Sequence, residues 1–209
     1  MIEIELKYKL ENEPDLSNLQ LLGEKAQIDI YYDTRNYDLI KNGNFLRNRN
    51  DKKLDFKTNL DDKTHLYCKE TSFNIEDIEN KQSEINQVLS AIGLPSDKKY
   101  SDLKTFLEHN DFLVLSPIKK ERKSYKVEEK FTIYIDTVED LGVFLEAEFE
   151  VDSENISEGE AQKIKNKINN FLFDNNIITD QDKAVNIGYV ELYLKEHNPS
   201  VYEMGLYKE

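Results

Sequence analysis

Apolar and charged side chains alternate without interruption over residues 2–10, and a period of two fits an extended strand but not a helix. The even positions are apolar and the odd ones are charged: Ile2, Ile4, Leu6, Tyr8 and Leu10 against Glu3, Glu5, Lys7 and Lys9. Successive side chains of a strand point to opposite faces. One face of this strand therefore belongs in a hydrophobic core, and the other carries carboxylates and amines that need partners.

Seven further segments show strand-like alternation, and short connections separate many of them. They lie at 27–34, 44–50, 53–59, 65–73, 112–126, 130–137 and 142–151. Asn42-Gly43 and Asn50-Asp51 supply turn residues between some of these segments. We therefore predict eight strands that pair largely as antiparallel hairpins.

Helical periodicity is confined to a few segments, at 76–92, 101–109, 157–174 and 183–195. Ser157 and Glu160 have the spacing of a capping box, which predicts the start of the third helix. No repeat, low-complexity tract or Pro/Gly-rich linker divides the chain. We predict an α+β fold, an eight-stranded antiparallel β-barrel with helices packed outside, as a single domain over residues 1–209 with a helical insertion at about 76–110.

The composition argues against several classes of protein. Lys and Arg number 28 against 42 Asp and Glu, a net charge of −14, whereas binding to a nucleic-acid backbone requires clustered positive charge. No apolar run approaches the roughly 20 residues of a membrane helix, and the acidic residues at the start are unlike a signal peptide. The single cysteine, Cys68, excludes an internal disulfide framework and a Cys-based zinc site. We expect a cytoplasmic protein that binds neither nucleic acid nor membrane.

The charged faces of the strands contain two sets of side chains, which share the barrel interior if the apolar faces pack outward. The carboxylates are Glu3, Glu5, Asp136, Glu146 and Glu148, and the cations are Lys7, Arg47, Arg49, Lys57, Lys120 and Arg122. Clustered carboxylates repel unless a hard divalent cation neutralises them, and Arg and Lys suit the oxygens of a phosphate chain. Metal-binding carboxylates beside phosphate-binding cations are the arrangement that phosphoryl transfer requires.

Motifs in order along nearly the whole chain resemble the CYTH superfamily, also called triphosphate tunnel metalloenzymes. Glu3-Ile4-Glu5-Leu6-Lys7 resembles its ExExK signature. The other matching elements are Tyr31-Tyr32-Asp33-Thr34, Phe45-Leu46-Arg47-Asn48-Arg49, Leu54-Asp55-Phe56-Lys57, Lys120-Glu121-Arg122, Ile135-Asp136 with Phe144-Leu145-Glu146-Ala147-Glu148, and Lys183 with Gly188-Tyr189-Val190-Glu191-Leu192. The fifth strand departs from the Arg-and-Glu pair of many members, so its Lys69 and Glu70 are left out of the predicted site.

The resemblance implies an eight-stranded tunnel that binds a small-molecule triphosphate with a divalent metal, Mg²⁺ or Mn²⁺. It implies that Glu3, Glu5 and Glu148 hold one metal ion. Asp136 and Glu146 would hold or orient a second metal or activate water. The residues implied to grip the phosphates are Lys7, Arg47, Arg49, Lys57, Lys120, Arg122 and Lys183. The predicted catalytic residues are Glu146, Asp136 and Lys7.

Three functions stay open on the sequence. Metal-dependent hydrolysis of inorganic tripolyphosphate, or of an organic triphosphate such as thiamine triphosphate, needs only these carboxylates and cations. A class IV type adenylyl cyclase, making cyclic AMP and pyrophosphate from ATP, is the alternative, but no set of residues indicates an adenine pocket. A non-enzymatic polyphosphate or nucleotide sensor would need fewer metal ligands. The apolar tail at 199–209 fits either a cover over a barrel end or a contact in a homodimer.

Overall fold

The computed structural model describes residues 2–59, 68–152 and 156–208, and within them the chain forms nine strands and six α-helices. The strands are β1 (Ile2–Lys9), β2 (Gln20–Thr34), β3 (Phe45–Arg49), β4 (Lys53–Asn59), β5 (Cys68–Asn74), β6 (Phe112–Glu128), β7 (Phe131–Val138), β8 (Gly142–Val151) and β9 (Lys183–Val185). The helices are α1 (Asp38–Lys41), α2 (Gln82–Ala91), α3 (Leu103–His109), α4 (Glu158–Asp174), α5 (Tyr189–His197) and α6 (Pro199–Tyr202). None of these helices is long and apolar enough to span a membrane.

The strands form one antiparallel sheet in the order β5-β4-β3-β2-β6-β7-β8-β1-β9. The α+β class and the antiparallel sheet are therefore confirmed, the predicted count of eight strands is corrected to nine, and the barrel stays a prediction. Lys183–Val185 adds a ninth strand beside β1, where the sequence predicted the first turn of a helix. Among the residues that the structure describes, the order ends at β5 and β9, which do not pair with each other.

The eight predicted strand segments correspond to β1 to β8, with residues 65–67 of the fifth lying outside the described residues. β2 begins at Gln20 rather than at residue 27. Its first seven residues are exposed on both faces, so they show no alternation of apolar and polar side chains. The predicted helix at 76–92 is confined to α2, which a short 3₁₀ turn at Ile75–Asp77 precedes.

The chain divides into two compact units, and the organisation as one domain stays a prediction. The first unit contains the described residues of 2–27 and 119–188. In this unit α4 packs its apolar stripe, including Ile168 and Leu172, onto the apolar faces of β1, β7 and β8. Each of these fully buried side chains contributes about 1.5–3 kcal/mol. The predicted capping box is confirmed, because the Ser157 side chain accepts from the Glu160 amide and the Glu160 side chain accepts from the Ser157 amide.

The second unit contains residues 28–118 and 189–208. Its core joins β3 and β4 to the helices of the insertion around Phe106, which is fully buried. The Phe106 ring packs edge-on against Phe56 and Tyr100, at centroid distances of 6.3 and 5.0 Å. The insertion therefore belongs to the core of this unit.

Candidate functional site

The first unit presents a charged sheet face built by β1, β6, β7 and β8. Register places Lys7 of β1 directly opposite Glu146 of β8, and Glu146 opposite Tyr134 of β7. Arg122 of β6 lies opposite Asp136 of β7. The alternate residues Leu145 and Ala147, with no exposed surface, point into the hydrophobic core. The strand alternation thus brings together five predicted site residues, the first ionic cluster: Lys7, Lys120, Arg122, Asp136 and Glu146.

Asp136 is the fully buried centre of this cluster, with no exposed surface. Its Oδ1 accepts from Arg122 Nε at 2.7 Å. Its Oδ2 accepts from Lys120 Nζ at 2.7 Å and from Arg122 Nη2 at 2.6 Å. Both oxygens therefore accept from cations, and Asp136 acts here as the counter-ion that orients the Lys120 and Arg122 side chains.

Glu146 joins the remaining cations of the cluster. Its Oε1 lies 3.2 Å from Lys7 Nζ, and its Oε2 accepts from Arg122 Nη2. Burial alone would raise the pKa of Glu146, but the positive charge of Arg122, then those of Lys7 and Lys120, holds this pKa well below its ordinary range. Glu146 is therefore ionised, and it is a weak proton acceptor.

Lys7 and Arg122 stay charged despite burial. Desolvation lowers the pKa of Lys7, but Glu5 and Glu146 outweigh it and raise this pKa. Lys7 Nζ lies 2.9 Å from Glu5 Oε1 and donates to the backbone carbonyl of Ile187 at 3.4 Å. The Arg122 guanidinium also lies over the Tyr134 ring, 4.3 Å from its centroid, which favours the cation. In Lys120, by contrast, burial is the dominant influence and lowers the pKa.

The implied metal ligands fall into two groups. Glu5 lies directly opposite Glu148, and Glu3 opposite Glu150. Like charges directly opposite each other destabilise a sheet, and Lys7, 2.9 Å from Glu5, offsets part of this repulsion. The pair Glu5 and Glu148 also has the carboxylate chemistry to bind a hard divalent cation. The side chain of Glu3 lies outside the described part. Among the side chains that the structure does describe, no group of three or more His, Cys, Asp and Glu is arranged to hold a metal.

A second metal at Asp136 and Glu146 does not fit this arrangement. All four carboxylate oxygens already contact Lys7, Lys120 or Arg122. A metal ion there would have to displace buried cations, and each ion left without its partner would carry a large desolvation cost.

The second unit contains a separate set of ion pairs on β2, β3 and β4, the second ionic cluster: Asp29, Arg47, Arg49 and Asp55. Arg47 lies opposite Asp55 and donates to its Oδ2 from Nε at 3.1 Å and from Nη2 at 2.8 Å. Arg49 lies opposite Asp29 and donates from Nε to Oδ1 at 2.9 Å. The structure thus confirms that the two arginines share a strand face, and it gives each of them a buried carboxylate partner.

Lys57 and Lys183 are the remaining two residues that the sequence predicts to bind phosphate. Lys57 is half-buried on β4, directly opposite Phe45 and Glu70. Lys183 is exposed on β9, directly opposite Lys9. Their roles as phosphate ligands stay predictions.

Sequence reasoning missed the carboxylates that partner the arginines. The sequence motifs include Asp55 without assigning it a role, and the predicted site does not contain Glu70, which lies 3.4 Å from Arg47. Asp29 could have been found, because it alternates with Tyr31 on the strand paired with Arg47 and Arg49. The missing information was the register, which the sequence does not provide.

Asp33, in the Tyr31-Tyr32-Asp33-Thr34 motif, has a structural role. Its Oδ1 accepts from the backbone amide of Leu39 at 2.9 Å, and its Oδ2 accepts from that of Ile40 at 2.9 Å. These amides belong to the first turn of α1, whose N–H groups have no acceptor within the helix. Asp33 therefore fastens α1 to the end of β2.

Acidification should selectively remove the stabilisation that Glu146 provides. The folded pKa of Glu146 lies below the unfolded value of about 4.3. Its contribution is therefore present above that pH and is lost as the pH falls through the folded value. We expect the thermal unfolding midpoints of wild type and Glu146→Gln to differ most near pH 7, and this difference to shrink steadily as the pH falls below about 4. A constant difference down to pH 3 would contradict this, and Glu139→Gln, at an exposed ion pair with Lys119, is the control.

Comparison with known proteins agrees with this fold. The sequence model of the CYTH domain matches residues 1–179. No curated protein sequence matches the chain. Among solved structures, the PH1819 protein of Pyrococcus horikoshii is 24% identical, with a TM-score of 0.66, over 93% of this chain and 99% of that one.

Two further structures carry functional descriptions of their own. A candidate adenylate cyclase from Vibrio parahaemolyticus is 20% identical, with a TM-score of 0.61, over 92% of this chain and 97% of that one. A candidate adenylyl cyclase from Hippeastrum, described as having a dominant triphosphatase activity, is 18% identical, with a TM-score of 0.57, over 97% of this chain and 94% of that one. At these identities the likeness shows the fold.

Proposed function

Because the chain belongs to the CYTH family, whose sequence model covers residues 1–179, we propose that it hydrolyses a small-molecule triphosphate with a divalent metal, Mg²⁺ or Mn²⁺. The substrate is inorganic tripolyphosphate or an organic triphosphate such as thiamine triphosphate. The observation that supports this best is the first ionic cluster, in which Lys7, Lys120 and Arg122 are buried side by side on one sheet face. Natural proteins rarely bury lysine and arginine unless the charges are paired.

The balance of charge on this face explains why metal and phosphate would bind together. The cations already have the carboxylate partners Glu5, Asp136 and Glu146. A triphosphate alone would bring a large excess of negative charge. A divalent cation held by Glu5 and Glu148, with Glu3, would offset that excess and polarise the phosphoryl oxygens.

The residues of the cluster then have distinct tasks. Lys7, Lys120 and Arg122 would donate to phosphate oxygens and neutralise the charge of the chain, the main contribution in phosphoryl transfer. Asp136 holds Lys120 and Arg122 in place. Glu146, with its lowered pKa, is suited to orienting a water molecule through a hydrogen bond and poorly suited to removing its proton. Attack of that water on the terminal phosphorus would form a P–O bond as the anhydride bond breaks. Orthophosphate would leave, and the proton of the water would pass to a phosphate oxygen of the products.

Product analysis tests the proposal directly. The protein is incubated with Mg²⁺ or Mn²⁺ and, separately, with tripolyphosphate, thiamine triphosphate and ATP. Orthophosphate release from a triphosphate supports the hydrolase. Cyclic AMP with pyrophosphate from ATP would establish the cyclase instead. Binding without turnover would identify a sensor, and absence of both binding and turnover would overturn the proposal.

Arg49→Ala should raise KM for the triphosphate by about 10- to 150-fold. A lost charge-assisted contact to a phosphate oxygen costs about 1.5–3 kcal/mol, and about 1.4 kcal/mol corresponds to a tenfold change. Steady-state kinetics measures the effect, and thermal unfolding checks that the variant is folded, because Asp29 loses a partner. Arg35→Ala, at an exposed position of the same unit, should leave KM unchanged. An unchanged KM in Arg49→Ala would show that this arginine does not contact the substrate.

A further inference from the structure

The C-terminal segment of the second unit, residues 203–208, folds back onto α1 and β3. The backbone amide of Leu206 donates to the carbonyl of Ile40 at 3.0 Å. Gly43 lies directly beneath the segment with a φ of +66°, and a Cβ at this position would come within 2.8 Å of Leu206 and Tyr207. The Tyr207 side chain is buried, with 7% of its surface exposed. The tail is thus closely packed against its own unit.

Three rings connect this tail to the second ionic cluster, and we name them the aromatic row: Tyr207, Phe45 and Tyr31. Tyr207 stacks on Phe45, with centroids 6.5 Å apart and an interplanar angle of 23°. Phe45 meets Tyr31 edge-on, with centroids 6.4 Å apart and an angle of 89°. Both geometries are ones that aromatic pairs prefer.

The aromatic row ends at Arg47. Phe45 and Arg47 are two residues apart on β3 and share a strand face. Tyr31 lies directly opposite Arg47 on the neighbouring strand. Carboxylates hold the guanidinium on its other sides, with Asp55 at 2.8 Å, Glu70 at 3.4 Å and Asp29 at 3.7 Å. Tyr31 is therefore the cross-strand neighbour of Arg47, Phe45 packs against Tyr31, and Tyr207 packs against Phe45.

We propose that Tyr207 is a positioning residue, which fixes Phe45 and Tyr31 and thereby holds the Arg47 side chain in the geometry that binds phosphate. The proposal rests on the proposed function, because it assigns Arg47 to the triphosphate. The binding energy of an arginine fork depends on its orientation. Loss of the terminal ring would leave space behind Phe45, allow Tyr31 to move and reduce the affinity for phosphate without removing any charged group.

A double-mutant cycle separates this role from a merely structural one. Tyr207→Ala should raise the apparent dissociation constant for tripolyphosphate about tenfold, measured as KM with turnover or as Kd without it, because an aromatic contact is typically worth up to that factor. In an Arg47→Gln background the same substitution should change the constant less than twofold. A general loosening of the unit would produce the same factor in both backgrounds.

Further variants test whether the effect of Tyr207→Ala arises only from unfolding of the tail. Tyr207→Phe keeps the ring and should restore most of the affinity. Met204→Ala, at a position of the tail that is 45% exposed, should leave the constant unchanged. Gly43→Ala pushes against Leu206 and the Tyr207 ring from below and should reproduce the effect of Tyr207→Ala with every aromatic residue present.

The outcomes distinguish the two proposals. If the wild type neither binds nor hydrolyses any triphosphate, or if Arg47→Gln leaves the constant unchanged, the assignment of Arg47 to phosphate fails and the positioning role fails with it. If Arg47→Gln weakens the wild type but Tyr207→Ala has no effect, or has equal effects in both backgrounds, only the positioning role is overturned.

Discussion

Glu5→Gln should lower the turnover of the proposed triphosphate hydrolysis on the order of 100-fold, the effect of removing one electrostatic contact from a reacting centre. The substitution deletes a charge with almost no change of volume. It removes half of the Glu5 and Glu148 pair that fits a divalent cation, together with one of the carboxylates that contact Lys7. Steady-state kinetics with saturating Mg²⁺ or Mn²⁺ measures the loss.

Chelation should have the same consequence in the wild type. Excess EDTA should abolish turnover, and added Mg²⁺ or Mn²⁺ should restore it. Glu121→Gln is the matched control, because Glu121 is exposed and lies between Lys120 and Arg122 on the opposite face of β6. Wild-type turnover in EDTA, or equal activity of Glu5→Gln and Glu121→Gln, would contradict a metal held by Glu5.

Asp136→Asn should destabilise the fold by about 3–5 kcal/mol, the usual cost of removing one partner from a buried ion pair. The substitution leaves Lys120 and Arg122 buried without the carboxylate that both contact. For a chain of this length the thermal midpoint should fall on the order of 10 °C. Urea unfolding without added metal measures the change in the free energy of unfolding.

This experiment also separates two roles of Asp136. A counter-ion stabilises the metal-free protein, so the loss should appear in EDTA. A residue that served only as a metal ligand would leave the metal-free stability unchanged when substituted. Glu139→Gln removes a carboxylate from an exposed pair with Lys119 and should change stability by less than about 0.5 kcal/mol.

The strands that could be predicted are those in which apolar and polar side chains alternate along the sequence. Strands with one buried face, such as β7 and β8, show this alternation in the sequence. The first half of β2 is exposed on both faces and shows no such pattern. β9 has only three residues, too few to show any period. β9 forms because the edge of β1 is available for pairing. This edge exists only in the assembled sheet, so the local sequence does not predict β9.

The residues of the candidate site could be predicted from the sequence, but their ion-pair partners could not. Alternation correctly placed Lys7, Arg122 and Glu146 on one face. It suggested that a metal ion neutralises the carboxylates and a phosphate chain neutralises the cations, whereas in the structure the carboxylates and cations largely neutralise one another. Arg122 finds Asp136 fourteen residues away and Glu146 twenty-four residues away. Such pairs depend on the register between strands, which depends in turn on the packing of the opposite, apolar face.

The pairing of each cluster cation with a carboxylate has a consequence for selectivity. Under the proposed function, a phosphate that approaches Arg122 would have to compete with the Asp136 carboxylate, which the fold holds beside the guanidinium. Chloride or a single phosphate makes one such exchange and gains little from it. A chain of linked phosphates would replace several carboxylate partners but lose translational and rotational entropy only once. After its first phosphate binds, the other phosphates bind intramolecularly. Under the proposed function, the resident carboxylates would therefore favour polyanions over simple anions such as chloride.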